Sequence, residues 1–216
     1  MTDDERERAM TDDERERAAR YRFERDRARY IVARGTLRAI LGRYLGVAPA
    51  DVRFMYGPHG KPALALEHDT DLSFNLSHAG GAALYAVTRG RRVGVDLEQV
   101  LPDNTDLGVA ARFFSPREVD MLRALPPQVR HEAFFRCWTR KEAYVKARGD
   151  GLSLDLTSFD VSLAPGEPPA LLATRPDPRE AARWSLHDVD AGPGYAAALA
   201  VEGRDVRVTY RDWLQA

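Results

Sequence analysis

Between residues 26 and 45, Ile31, Leu37, Ile40, Leu41, Tyr44 and Leu45 recur at helical spacing with arginines on the other face, which predicts an amphipathic helix. Two glycines and two prolines within residues 56–62 break regular structure and mark a loop. Residues 72–77, 82–88 and 92–98 are short β-prone runs separated by Gly80-Gly81 and Arg89-Gly90-Arg91, and they read as an antiparallel meander. Ser115-Pro116-Arg117-Glu118 joins a Ser N-cap to Pro at the first helical position and Glu at the third, so a helix is expected from there to about residue 124. Past Pro126 and Pro127 a longer helix runs to about residue 148, where Gly149-Asp150-Gly151 stops it. Residues 158–163, 184–189, 195–201 and 206–210 look like further strands between Pro- and Gly-rich connections. The expected fold class is therefore α+β, with two similar lobes over 13–105 and 106–216, joined near 102–107, and a ligand cleft between them.

With 216 residues and 44% hydrophobic content, the chain can bury one sizeable domain or two small packed lobes. A single cysteine, Cys137, excludes an intramolecular disulfide framework and suits a reducing compartment. No run approaches the roughly 18 apolar residues of a membrane span, and the acidic, Arg-rich start lacks the apolar centre of a signal peptide. A cytoplasmic protein is expected. The formal charge of -1 gives no global attraction to nucleic acid or an anionic membrane, so any anion site must be a local basic cluster. Residues 1–9, MTDDERERA, recur unchanged as residues 10–18, a unit too short for a solenoid. The first copy reads as a tail, spanning residues 1–12 in the domain plan, that arose from an upstream start or a local duplication; Met10 is a second candidate start.

Strand alternation in Val93-Gly94-Val95-Asp96-Leu97-Glu98 puts Asp96 and Glu98 on one side, roughly 7 Å apart at the backbone, from where both can reach one hard cation. Gly94, before them on that side, is expected to leave room for a ligand. On the 127–148 helix, Phe134, Phe135, Trp138 and Val145 share an arc of about 100°, and Glu142 falls inside it. An ionised carboxylate on such a stripe needs a cation or strong donors. Lys146, four residues on, is the ordinary partner for it. Residues 74–81, FNLSHAGG, are expected to end a strand in a polar glycine-rich turn able to hold a phosphate or simply to bond its own backbone. Arg17, Arg20, Arg22, Arg25 and Lys61 can supply charge to the same anion. Cys137 lacks a sequence-local base and is assigned to packing. Five scattered histidines and one cysteine form no zinc spacing, so oxygen-ligated Mg²⁺ fits better.

In order, Gly60-Lys61-Pro62, Phe74-Asn75-Leu76-Ser77-His78, Val93 to Glu98, Phe113-Phe114-Ser115 and the run from Trp138 to Lys146, WTRKEAYVK, resemble the signature of the Sfp-type phosphopantetheinyl transferases. The resemblance extends from about residue 13 past Gly151-Leu152-Ser153-Leu154. It implies a monomer of two similar α+β lobes with coenzyme A and Mg²⁺ in the cleft, acting on a serine of an apo acyl or peptidyl carrier protein. By that likeness Asp96, Glu98 and Glu142 hold Mg²⁺, Lys146 contacts the phosphates, and Arg17, Lys61, Asn75, Ser77 and His78 contact coenzyme A. The second N-terminal copy has the family-like distance to Phe23, which puts Arg17, not Arg8, in the site. Glu142 is the expected general base, assisted by Asp96 and Lys146. The helix over 115–126 is an expected carrier surface. The rival readings are a non-catalytic module that binds coenzyme A or a carrier protein, and a different Mg²⁺-dependent phosphotransferase or hydrolase.

Overall fold

A computed structural model describes residues 2–100 and 107–213. Its elements in chain order are α1 (Asp3–Arg8), α2 (Asp12–Ala19), α3 (Glu24–Leu45), β1 (Phe54–Tyr56), β2 (Pro62–Leu64), β3 (Leu72–Ala79), β4 (Ala82–Arg89) and β5 (Val93–Gln99). They continue with α4 (Leu107–Phe113), α5 (Pro116–Ala124), α6 (Pro127–Arg148), β6 (Phe159–Val161), β7 (Leu171–Thr174), β8 (Trp184–Asp188) and β9 (Tyr195–Glu202). The α+β class is as expected, and α5 begins as its sequence dictates: Ser115 Oγ accepts from the Glu118 N–H and Glu118 accepts from the Ser115 N–H. Among the described residues no helix is long and apolar enough to cross a membrane.

The expected meander holds for its first pair alone. β3 and β4 form an antiparallel hairpin from Leu72↔Arg89 to Ala79↔Ala82, whereas β5 is hydrogen-bonded to β9, from Val93↔Val201 to Gln99↔Tyr195, and β9 to β8. The periodicity of a strand selects a face and leaves its partner open. Here Val93 and Val95 are buried against Leu199 and Val201, a packing that the more distant strand supplies. β3 meets β5 through side chains: Asn75 Oδ1 accepts from the Val95 N–H at 2.8 Å, and Ser77 Oγ from the Leu97 N–H at 3.2 Å. Residues 206–210 form no strand; Val206 and Val208 instead cover the Val93, Val95, Leu199 and Val201 cluster. The lobe junction near 102–107 lies, up to residue 106, outside the described residues.

α6 is the central pillar, its buried residues running from Ala133 to Ala147, with α5 and β6 to β9 packed around it in the largest core cluster among the described residues. α3 packs with β1 to β3 around Leu37, Leu41, Val52, Leu64, Leu72 and Phe74. Two of the α3 arginines expected on the solvent face are buried there. Arg34 and Arg38 both donate to Glu14 of α2, itself buried, because a charged side chain can enter a core when a matching charge meets it. The first N-terminal copy, expected as a tail, forms α1 and packs on α3, with Arg6 lying over Gly35.

Candidate active site

The site begins with a close approach of backbones. A Cβ at Gly94 would overlap Ala143 O and Ala147 N and come within 2.8 Å of Ala147 Cα. The space beside Gly94, expected for a ligand, is therefore filled by α6. Ala143 and Ala147, both fully buried, are small enough to let β5 and α6 touch there, one helical turn apart. That contact brings Asp96 and Glu98 of β5 up to Glu142 and Lys146 of α6.

Lys146 Nζ donates to Asp96 Oδ1 at 2.6 Å and to Ser77 Oγ at 3.0 Å, and Ser77 Oγ lies 3.3 Å from the same Asp96 oxygen. The ordinary i,i+4 partner of Glu142 is thus committed to Asp96. Asp96 is 3% exposed, and its other oxygen, Oδ2, is buried without a hydrogen-bond partner. Glu98 Oε1 accepts from Trp138 Nε1 at 3.2 Å. The indole is held in turn by Phe113 edge-on at 5.8 Å and Phe134 stacked at 6.2 Å. Burial, then the neighbouring Asp96 carboxylate, pushes the Glu142 carboxyl above its usual range; Lys146 opposes this and Glu98 adds to it. Glu98 is raised for the same two leading reasons, offset by Trp138 and Lys146.

Glu98 and Glu142, each raised by burial and by the neighbouring Asp96 charge, together with an Asp96 oxygen orphaned in the interior, form a donor set suited to an oxygen-ligated divalent cation. Among the described residues no three acidic, His or Cys side chains are already drawn in to ligand distance; Lys146 neutralises Asp96 in their place. The chemistry of the side chains fits Mg²⁺, and closing around it requires side-chain movement.

The remaining expected residues divide. Ser77 and His78 belong to β3 itself, and the turn comprises Gly80 and Gly81. Asn75 and Ser77 are buried and hold β5, and Ser77 alone of the two also reaches Lys146. His78 has an exposed side chain, yet the surrounding protein, then Lys146 and Arg29, hold its imidazole below the ordinary value. Lys61 Nζ donates to Val93 O at 3.0 Å and Ala147 O at 3.1 Å. Desolvation, then Arg92, lowers its amine to about 8. It ties β5 to α6 beside Gly94. Arg17 is exposed on α2 with its guanidinium 5.9 Å from the Tyr30 ring centre, and no described contact joins it to the carboxylates.

Sequence reasoning missed three supporting groups. The charge of Arg29 acts on His78. Trp138 orients Glu98. Lys141, fully buried, donates to Glu118 Oε2 at 2.6 Å and Phe159 O at 2.7 Å, while Glu118 Oε1 accepts from the Val161 N–H at 2.7 Å. Lys141 thereby locks α6 to α5 and β6. The signal for it was present as a lysine on the buried side of a helix whose neighbour carries a capping Glu.

A sequence model described as the 4′-phosphopantetheinyl transferase superfamily matches residues 92–200, which contain Asp96, Glu98, Glu142 and Lys146. A second, described as 4′-phosphopantetheinyl transferase, N-terminal, matches residues 5–89. The chain is 45% identical over 170 residues to the 4′-phosphopantetheinyl transferase HetI of Nostoc sp., covering 78% of this chain and 68% of that protein. It is 31% identical over 169 residues to the 4′-phosphopantetheinyl transferase Sfp of Bacillus subtilis, covering 78% and 71%. Among solved structures it resembles a Thermotoga maritima holo-[acyl-carrier-protein] synthase at 24% identity and a TM-score of 0.41, over 52% of this chain and 62% of that one. With both halves matched and the paired carboxylates inside the matched region, the chain belongs to the 4′-phosphopantetheinyl transferase superfamily.

Proposed function

We propose that the charged cluster on β5 and α6 moves the phosphopantetheine arm of coenzyme A onto a serine of an apo acyl or peptidyl carrier protein and releases adenosine 3′,5′-bisphosphate. The observation that carries this reading is the Ser77–Lys146–Asp96 contact beside Glu98 and Glu142, with Asp96 Oδ2 orphaned. Asp96, Glu98 and Glu142 would hold Mg²⁺, which when bound neutralises charge on the pyrophosphate. The rest of the reaction belongs to side chains. Glu142, whose burial raises its proton affinity, is suited to accept the proton of the serine hydroxyl as that oxygen attacks the β-phosphorus. The bond from that phosphorus to the bridging oxygen breaks. The Lys146 ammonium, exchanging Asp96 for phosphate oxygens, stabilises the leaving bisphosphate or returns a proton to it.

His78, with Arg17, would meet the ribose 3′-phosphate, and Asn75, Ser77 and Lys61 would shape the floor on which coenzyme A lies. Two similar lobes, 13–105 and 106–216, would flank the bound coenzyme A in the proposed monomer, which works in the cytoplasm. The carrier would dock on α5, where Arg117 and Arg123 are exposed to meet an acidic helix. Charge reversal at both should weaken carrier binding about tenfold and leave coenzyme A binding unchanged.

The deciding experiment is intact mass of an apo carrier protein after incubation with this protein, coenzyme A and Mg²⁺. Gain of one phosphopantetheine, abolished by EDTA and by Glu142→Gln, supports the reading. No gain across acyl and peptidyl carriers leaves a module that binds coenzyme A or a carrier without catalysis, and transfer from ATP instead would mark another phosphotransferase.

A further inference from the structure

Apart from Arg17, the N-terminal repeat has no part in the transfer proposed above. Residues 1–9 and 10–18 are identical, yet they fold into different surroundings. In the second copy Glu14 is 2% exposed. It accepts from Arg38 Nε at 2.7 Å and from Arg34, and it caps α2 by accepting the Thr11 N–H at 2.9 Å. That socket is itself anchored. Arg34 donates to Tyr56 Oη at 2.9 Å, and Arg38 to Pro49 O at 3.0 Å and Val52 O at 2.8 Å. Met10 and Ala18 pack with Ile31 beside it. In the first copy Glu5 is exposed and caps α1 by accepting the Thr2 N–H at 2.6 Å.

The buried side chains of the second copy's docking face, Met10, Glu14 and Ala18, have counterparts of the same kind and spacing in Met1, Glu5 and Ala9. Both copies also form the same Thr-x-x-Glu capping box. The Arg34 and Arg38 socket therefore cannot tell the copies apart by the residues that enter it. What selects the second is its surroundings. Residues 19–23 make the shorter link to α3, and seating the second copy lets the first add Arg6 over Gly35 and a 2.8 Å pair between Glu7 and Arg27. Looping out residues 10–23 forfeits those contacts but adds a closure entropy that grows only slowly with length.

We infer that the repeat is a built-in spare: when the second copy's anchor is lost, the chain shifts by nine residues and Glu5 takes the place of Glu14 between Arg34 and Arg38. Arg8 then stands where Arg17 stood.

The test compares full-length Glu5→Ala, Glu14→Ala and the double variant by thermal unfolding and by amide hydrogen exchange. Glu5→Ala, which removes an exposed cap, should lower Tm by about 2 °C. Glu14→Ala, rescued by Glu5, should lower it by less than about 5 °C. The double variant leaves two buried guanidiniums without their carboxylate and should lower it by about 10 °C or more, well beyond the sum. In Glu14→Ala, residues 11–19 should lose amide protection while residues 3–9 keep theirs. Additive losses, loss of protection in both segments, or outright unfolding of Glu14→Ala overturns the inference.

Discussion

Asp96 divides its two oxygens between a lysine and nothing, and that asymmetry describes the site as a whole: charge is held ready at a cost to stability. Glu142 shows the cost with a definite sign. Its folded-state proton affinity is raised, so the stability it contributes is present at low pH and is lost as pH rises through that folded value. Glu142→Gln should therefore abolish transfer, by about 10²-fold or more in rate. In metal-free buffer at pH 7 the same variant should raise Tm by about 3 °C, the shift that ~1 kcal/mol makes in a chain of this size. Rates from carrier mass gain and a melting scan check both halves; a lower Tm would sink the argument. Glu202 has the opposite sign. Hydrogen bonds from Arg92, with Arg183 also donating, lower its carboxyl from 4.5 to about 2. Its contribution is complete above the unfolded value and is lost as pH falls from about 4.5 to about 2. Denaturant titrations across that window should show a shallower acid decline for Glu202→Gln than for the parent. The four charged residues of the site were legible because each sits in a short local motif. The bond Lys61 makes was not legible, since its two carbonyl partners come from β5 and α6, distant in the chain.

Among the elements, the contact of β5 with α6 decides the most. Gly94→Ala would insert a methyl group where Ala143 and Ala147 backbone atoms already lie, and neither backbone can yield without moving the helix. Overpacking of this kind costs about 1–3 kcal/mol, and more where backbone is the obstacle. The expected outcome is a lower denaturation midpoint together with loss of transfer, because Glu142 and Lys146 move with α6. Trp138→Phe separates function from packing. The ring cluster with Phe113 and Phe134 survives while the hydrogen bond to Glu98 is lost. Mg²⁺ affinity, read by calorimetry, should fall about tenfold or more, with stability changed by about 1 kcal/mol or less. Local signals predicted α5 and α6 well: a Ser cap, prolines at the first positions, and the glycine that ends α6 are chemistry of neighbouring residues. The alternation at residues 206–210 misled, because apolar residues covering a sheet edge pattern like residues within it.

For the molecule as a whole, β5 lies in the first half of the chain and its hydrogen-bonded neighbour β9 near the end. A fragment of residues 1–105 would expose Val93, Val95 and Leu97, each 2% exposed in the intact fold, and would lose α6 from beside Gly94. Such a fragment should give poorly dispersed NMR spectra alone and recover native dispersion when mixed with residues 106–216. A well-folded isolated first half would show that β5 needs neither partner. Lys141 and Glu118 make the second half equally dependent on buried charge: Glu118→Ala strands the Lys141 ammonium and should cost about 3–5 kcal/mol in denaturant unfolding.

The sequence by itself determined the α+β class, the two long helices, the capping of α5, and the four charged residues proposed for the site, since these rest on periodicity and on chemistry between near neighbours. The tertiary structure decided which strand pairs with β5, that α6 fills the space at Gly94, that Lys146 binds Asp96, and that Lys61, Arg34, Arg38 and Lys141 serve the interior. Each of those outcomes depends on groups far apart along the chain competing for the same partner, and a linear pattern records what a side chain can bond but not which bond is within reach.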